Sequence, residues 1–212
     1  MDRLSSDILR SLQALSKLPS PGPAPAFSYV HVCNALLTIG DDGPIGRIEL
    51  SRKLGLGEGA VRTVIKHLAQ ARIISTIKEG CILTKRGNTL YARLRKQVSK
   101  VKEVDAGPLT LGEFNAAILI RNATRSLKKG IEQRDAAVRA GATGACTLAV
   151  RGGRYVMPFR DEDDWSMSSD EPLARVLGSL FKPKDGDIVA IVGAGSERAA
   201  ELGAMAAALT LL

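Results

Sequence analysis

The chain has 212 residues, 45% of them apolar and 25% charged, with a net charge of +8, so it can hold two domains of about 100 residues each and is too apolar to be mostly disordered. Its longest apolar tract, residues 204–212, falls far below the roughly 18 residues of a spanning helix, and its start, with Asp2 and Asp7, lacks a signal-peptide layout. These features predict a cytoplasmic protein with no membrane partner. Three scattered cysteines (Cys33, Cys81, Cys146) and two histidines (His31, His67) give neither a disulfide framework nor ligand spacing, so no metal or cofactor is expected.

Residues 5–17 place Ile8, Leu9, Leu12 and Leu15 on one helical stripe, and the proline-rich stretch 19–25 then breaks regular structure, which predicts an appended helix and spacer over 1–25. From 27 to 39, Val30, Cys33, Leu36 and Leu37 make the stripe of a first core helix. Pro44-Ile45-Gly46-Arg47 reads as a short strand. Residues 48–54 and 60–68 form two short amphipathic helices joined by a glycine-marked turn. The second carries Val61, Val64, Ile65 and Leu68 at i, i+3, i+4 spacing and leaves Arg62, Thr63, Lys66 and His67 outside. Two β-rich runs split by Glu79-Gly80 predict a hairpin, with Pro44–Arg47 pairing to it. A further helix from residue 84 turns Arg93, Arg95, Lys96 and Lys100 to water.

Charge sharpens this reading. Residues 1–105 hold 17 Lys/Arg against 9 Asp/Glu, whereas 106–212 hold 13 of each, and the stretch 52–102 alone has 13 basic residues against 2 acidic. All the excess is N-terminal, the electrostatic footprint of a phosphate-backbone binder. Residues 50–84 resemble the winged helix-turn-helix of prokaryotic transcription regulators, and the whole chain resembles an uncharacterised archaeal two-domain family in which a winged helix precedes a small α/β domain. The resemblance implies a homodimeric transcription regulator with double-stranded DNA as its partner. Arg62, Thr63 and Lys66 would then meet bases, with His67 on the same face, and Arg52, Lys53, Lys78, Lys85 and Arg86 would meet phosphates. The DNA-binding domain is expected over 26–104.

Residues 102–108 read as the boundary, because the basic bias stops there and Gly107-Pro108 interrupts the helix. The remainder, 105–212, reads as strand 114–120, helix 126–140, strands 145–151 and 154–159 around Gly152-Gly153, helix 172–181, apolar strand 188–192 and an Ala-rich helix 197–211. The class is α+β. The order βαββαβα matches, in its first six elements, a ferredoxin-like four-stranded antiparallel sheet with helices on one face. A doubly wound parallel sheet is the alternative, but the tight Gly-Gly turn favours an antiparallel pair.

This second half is expected to sense a small molecule or to make the dimer contact, and two places in it suit an anionic small-molecule effector. Gly193, Gly195 and Ser196 lie between an apolar strand and a helix start, where free N–H groups and the helix dipole favour an anion, although the third glycine of a dinucleotide motif and the lysine of a P-loop are missing. Arg134, beside Asp135, is placed to clamp a phosphate or carboxylate. Asp161-Glu162-Asp163-Asp164-Trp165 reads as a solvated acidic loop. No nucleophile, base and acid fall together, so catalysis is disfavoured. The competing reading is a metabolic enzyme or phosphometabolite-binding protein built on the second domain, with the first as an accessory.

Overall fold

The computed structural model describes residues 10, 12–14, 16, 26–110, 112–158 and 166–212. Most of the expected helix 5–17, the spacer 19–25 and the acidic loop 161–165 lie outside them. The chain is α+β and divides into two compact units, one ending at Leu94 and one running from Arg95 to Leu212. The division falls before the expected boundary at 104, and the reason is visible in the second unit. Lys102–Glu103, expected as linker, is a strand of its sheet.

In the first unit the helices α1 (Tyr29–Asp42), α2 (Arg47–Leu54) and α3 (Glu58–Gln70) precede the antiparallel pair β1 (Ile74–Ile77) and β2 (Gly80–Leu83). Helix α4 (Lys85–Gln97) follows. The apolar periodicity is fulfilled: Leu36, Leu50, Val61, Val64, Leu68 and Leu94 are all wholly buried. The expected strand at Pro44–Arg47 reduces to a single bridge, Ile45 to Cys81. Gly80 makes that bridge possible, because it has φ +140° and a Cβ there would stand 2.5 Å from the Ile45 carbonyl. At the start of α1, His31 Nδ1 accepts the Ser28 N–H at 3.1 Å, and burial holds the imidazole below its usual pKa of 6.5. A histidine kept neutral by folding contributes fully above that pKa and loses its contribution as pH falls below it, since the unfolded chain takes up the proton first. Thermal unfolding at pH 7.5 and 5.5 is therefore expected to show a loss at the lower pH that is smaller in His31→Asn.

The second unit is built on a six-stranded sheet in the order β3-β4-β8-β5-β6-β7. Its strands are β3 (Lys102–Glu103), β4 (Phe114–Ile120), β5 (Gly144–Arg151), β6 (Arg154–Val156), β7 (Ser166–Met167) and β8 (Ile188–Ala194), and every pairing is antiparallel. Helix α5 (Ile131–Arg139) leads from β4 to β5, α6 (Pro172–Phe181) precedes β8, and α7 (Glu197–Leu209) follows it. The central strands β4, β5 and β8 are buried at successive positions, so both faces of the sheet are covered. Ala117, Leu119, Cys146, Leu148, Val189 and Ile191 meet Ala174, Leu177 and Phe181 of α6. The opposite face meets α7, whose Gly203 lies against Val192, and α7 packs in turn on α5.

This corrects the ferredoxin-like expectation. A split βαβ is present, since β4 and β5 are both antiparallel to β8 and hence parallel to each other. The strand between them, however, is the last one and not the hairpin partner β6. Helices cover both faces instead of one, and two edge strands are added. Those edges escape a sequence reading because each is only two residues long, and Lys102–Glu103 is also charged, a form in which edge strands avoid further pairing. Helix α5 starts later than expected because residues 123–127 close turns and Gly130 takes φ +74° before the first helical residue. Strand β6 ends at Val156, with Pro158 soon after to deny a backbone donor.

Candidate nucleic-acid interface and the expected effector site

Helix α3 follows α2 through Gly55, Leu56 and Gly57. Gly55 caps α2 in the left-handed region with φ 64°, and Gly57 stands at the N-cap of α3. Ser51 donates its hydroxyl to the Leu56 carbonyl and fastens the turn. With Val61, Val64 and Leu68 turned inward, Arg62 and Lys66 emerge one turn apart on the exposed face, and neither has an ionic or side-chain hydrogen-bond partner among the described residues. Thr63 is half-buried and donates its hydroxyl to the Gly59 carbonyl at 3.1 Å. His67 departs from the expected outer face, because its ring stands edge-on to Phe27 with centroids 6.1 Å apart. The Phe27 ring, hidden in the sequence among residues before the first core helix, claims it.

The residues expected at phosphates fall into two groups. Arg52 donates to both carboxylate oxygens of Glu49, at 2.9 and 2.6 Å, and that hydrogen bond holds the Glu49 carboxyl below its usual pKa. Lys53 pairs with Asp42 at 2.9 Å. Both pairs lie at the surface, where such contacts are worth about 0–1 kcal/mol and yield readily to another anion. Lys78, in the turn between β1 and β2, and Lys85 and Arg86, in the first turn of α4, are exposed and have no such partner among the described residues. Cations at a helix start oppose its dipole by roughly 0.3–1 kcal/mol each, so the local peptide field does not account for them.

In the second unit the expected effector site comes apart. Gly193 is not a cradle, because a Cβ there would lie 2.8 Å from the Gly112 nitrogen and from Thr110 Cβ, so Thr110 and Gly112 already fill that space. Its carbonyl accepts the Thr143 N–H at 2.8 Å. Ser196 caps α7, accepting the Ala199 N–H at 3.3 Å. Glu197 places a carboxylate in the first turn, where it already complements the free N–H groups of the helix start. Gly195 is exposed with open space around it.

Arg134 pairs with Asp135 at 2.9 Å. It also stands at the wrong end. Gln133 donates to Thr210 beyond the end of α7, whereas Gly141 approaches Ala199 near its start. The 13 residues of α7 therefore separate Arg134 from Ser196 by about 20 Å at 1.5 Å per residue. One anion cannot engage both.

A different concavity was not foreseen. An open cleft of about 490 Å³ lies between α6, the β5–β6 turn and the segment 182–185, and its lining includes Arg175, Lys182, Lys184 and Asp185. The sequence signal was Lys182-Pro183-Lys184 directly after α6, two lysines that cannot continue the helix. Elsewhere the chemistry is sparse. The three cysteines are free and buried, and burial pushes the Cys146 thiol up to about 12. Among the described residues no three His, Cys, Asp or Glu side chains group as metal ligands, and no helix is long and apolar enough to cross a membrane.

Two family models match these two units in turn. Residues 36–89, which contain α2, α3 and the β1–β2 pair, match the PH0730-like, N-terminal domain, and residues 111–211 match the Domain of unknown function (DUF4443). Among solved structures, the chain is similar to the hypothetical protein PH0730 from Pyrococcus horikoshii OT3, at 28% identity over 86% of this chain and 91% of that one, with a TM-score of 0.68. No curated protein matches it.

Proposed function

We propose that the protein is a DNA-binding transcription regulator whose first unit is a winged helix, with α3 as recognition helix and the β1–β2 pair as wing. The observation that carries this reading is the exposed face of α3, where Arg62 and Lys66 stand one turn apart without partners among the described residues, on a unit that also offers Lys78, Lys85 and Arg86 to solvent. An arginine and a lysine on one helix face suit the N7 and O6 acceptors of guanine in a major groove. Arg52 and Lys53 reach phosphates by exchanging their surface carboxylate partners. Thr63 touches the base edges through its methyl group or its remaining lone pair. In this reading the regulator acts in the cytoplasm as a homodimer that spans successive half-sites about one DNA turn apart, and sedimentation with and without duplex measures that stoichiometry.

Fluorescence anisotropy with labelled genomic fragments against a random duplex tests the main claim. Saturable binding that prefers one fragment supports it, and equal or absent binding overturns it. Arg62→Ala is expected to lose about 1–3 kcal/mol on the preferred fragment and little on random DNA, while Lys78→Ala weakens both alike. Equal losses on both duplexes for Arg62→Ala would remove α3 from the role of reader.

A further inference from the structure

We infer that the cleft between α6 and the β5–β6 turn binds a small molecule through a phosphate or diphosphate group. The site has a volume of about 490 Å³, inside the range of roughly 300–1,000 Å³ typical of small-molecule pockets. Its rim gathers three cations, Arg175, Lys182 and Lys184, and its lining holds a single acid, Asp185. That carboxylate is already engaged: its two oxygens accept the N–H groups of Gly152 at 3.0 Å and Gly153 at 3.2 Å. None of the three cations has an ion pair among the described residues, and all three are exposed. A guanidinium beside two ammonium groups matches a phosphate dianion, the arginine offering a bidentate fork and the lysines compact charge.

Two backbone features keep the cleft open and charged. Gly178 lines it from α6, one turn before Lys182, and presents no side chain there. Lys182 ends α6 with φ 48°, a left-handed position where helices usually carry glycine. A non-glycine residue held in that region points to a role for its side chain. Here that side chain supplies one of the three charges. A merely structural cap would be served as well or better by glycine, which gives the decisive variant.

The test is isothermal titration of the full chain with inorganic pyrophosphate, and separately with citrate. Saturable binding of one pyrophosphate per chain is expected, with citrate at least tenfold weaker. Lys182→Gly should keep or raise the melting temperature while weakening pyrophosphate at least tenfold, and Arg175→Gln should weaken it similarly with an unchanged far-ultraviolet circular dichroism spectrum. The double variant Arg62→Gln/Lys66→Gln separates this site from the basic face of the first unit and should retain the affinity. Unaltered binding in both Lys182→Gly and Arg175→Gln, loss of binding in the Arg62/Lys66 double variant, no binding to the unmodified chain, or preference for citrate would each overturn the assignment. The cleft shares no residue with the DNA-facing set of the first unit, so failure to bind duplex leaves this test intact.

Discussion

Duplex DNA binding is expected to weaken about 40-fold as monovalent salt rises from roughly 50 to 200 mM, because three unpaired cations contacting phosphates give a logarithmic slope near −2.7 at about −0.9 per phosphate. The three are Lys78, Lys85 and Arg86, each exposed and without an ion-pair partner among the described residues, while Arg62 and Lys66 face base edges. Arg52 and Lys53 are left out of the count because each must first release a carboxylate, Glu49 or Asp42, and the released acid repels the same phosphate. Replacing Lys85 and Arg86 together by glutamine should flatten the slope by about 2, and replacing Arg52 by far less than 1. Anisotropy titrations across a salt series measure these slopes directly. A slope near zero for the unmodified chain would sink the DNA-binding reading, and a full unit lost with Arg52→Gln would show that its pair with Glu49 opens without penalty.

The first unit was legible because a single physical pattern repeats through it. Stripes such as Val61, Val64 and Leu68 have one solution, a helix with one buried face, and two β-rich runs around a tight turn have another, although the turn falls at Lys78-Glu79, one residue before the expected Glu79-Gly80. What the stripe could not place was His67, whose neighbour across the fold is distant in sequence. Four strands of the second unit were legible too, but its two short edge strands and the strand order were not. Ile188–Ala194 is apolar at every position, and such a run says only that both faces are buried, which any central strand satisfies. Strand order is settled by long-range packing. The small residues of α7, chiefly alanines with Gly203 against Val192, let that helix settle closely on the sheet beside β8. The expected anion site failed for a related reason. Glycines between a strand and a helix signal close approach, and the sequence does not say whether a ligand or the chain's own backbone makes it.

Gly193 and Gly195, two residues apart, are expected to respond to valine in opposite ways. A Cβ at Gly193 would lie 2.8 Å from the Gly112 nitrogen and 2.9 Å from Thr110 Oγ1, on a strand buried at every position. Neither neighbour can yield freely: Gly112 is backbone, and Thr110 is hydrogen-bonded to Asn115. Overpacking of this kind typically costs 1–3 kcal/mol, and valine brings two further methyl groups, so about 3 kcal/mol is expected for Gly193→Val. For a chain of this length that corresponds to a melting temperature lower by roughly 6–12 °C. Gly195 has open space around its missing Cβ and does not have positive φ. Gly195→Val should therefore stay within about 0.5 kcal/mol of the unmodified chain. The stabilisation by pyrophosphate should also survive in Gly195→Val, since the anion sits at Arg175, Lys182 and Lys184 and not at this turn. Calorimetric scans of both variants, with and without pyrophosphate, check all three statements. Equal destabilisation by the two valines would mean that the turn at 195 is tightly packed after all, and loss of the pyrophosphate effect in Gly195→Val would return the anion to the start of α7.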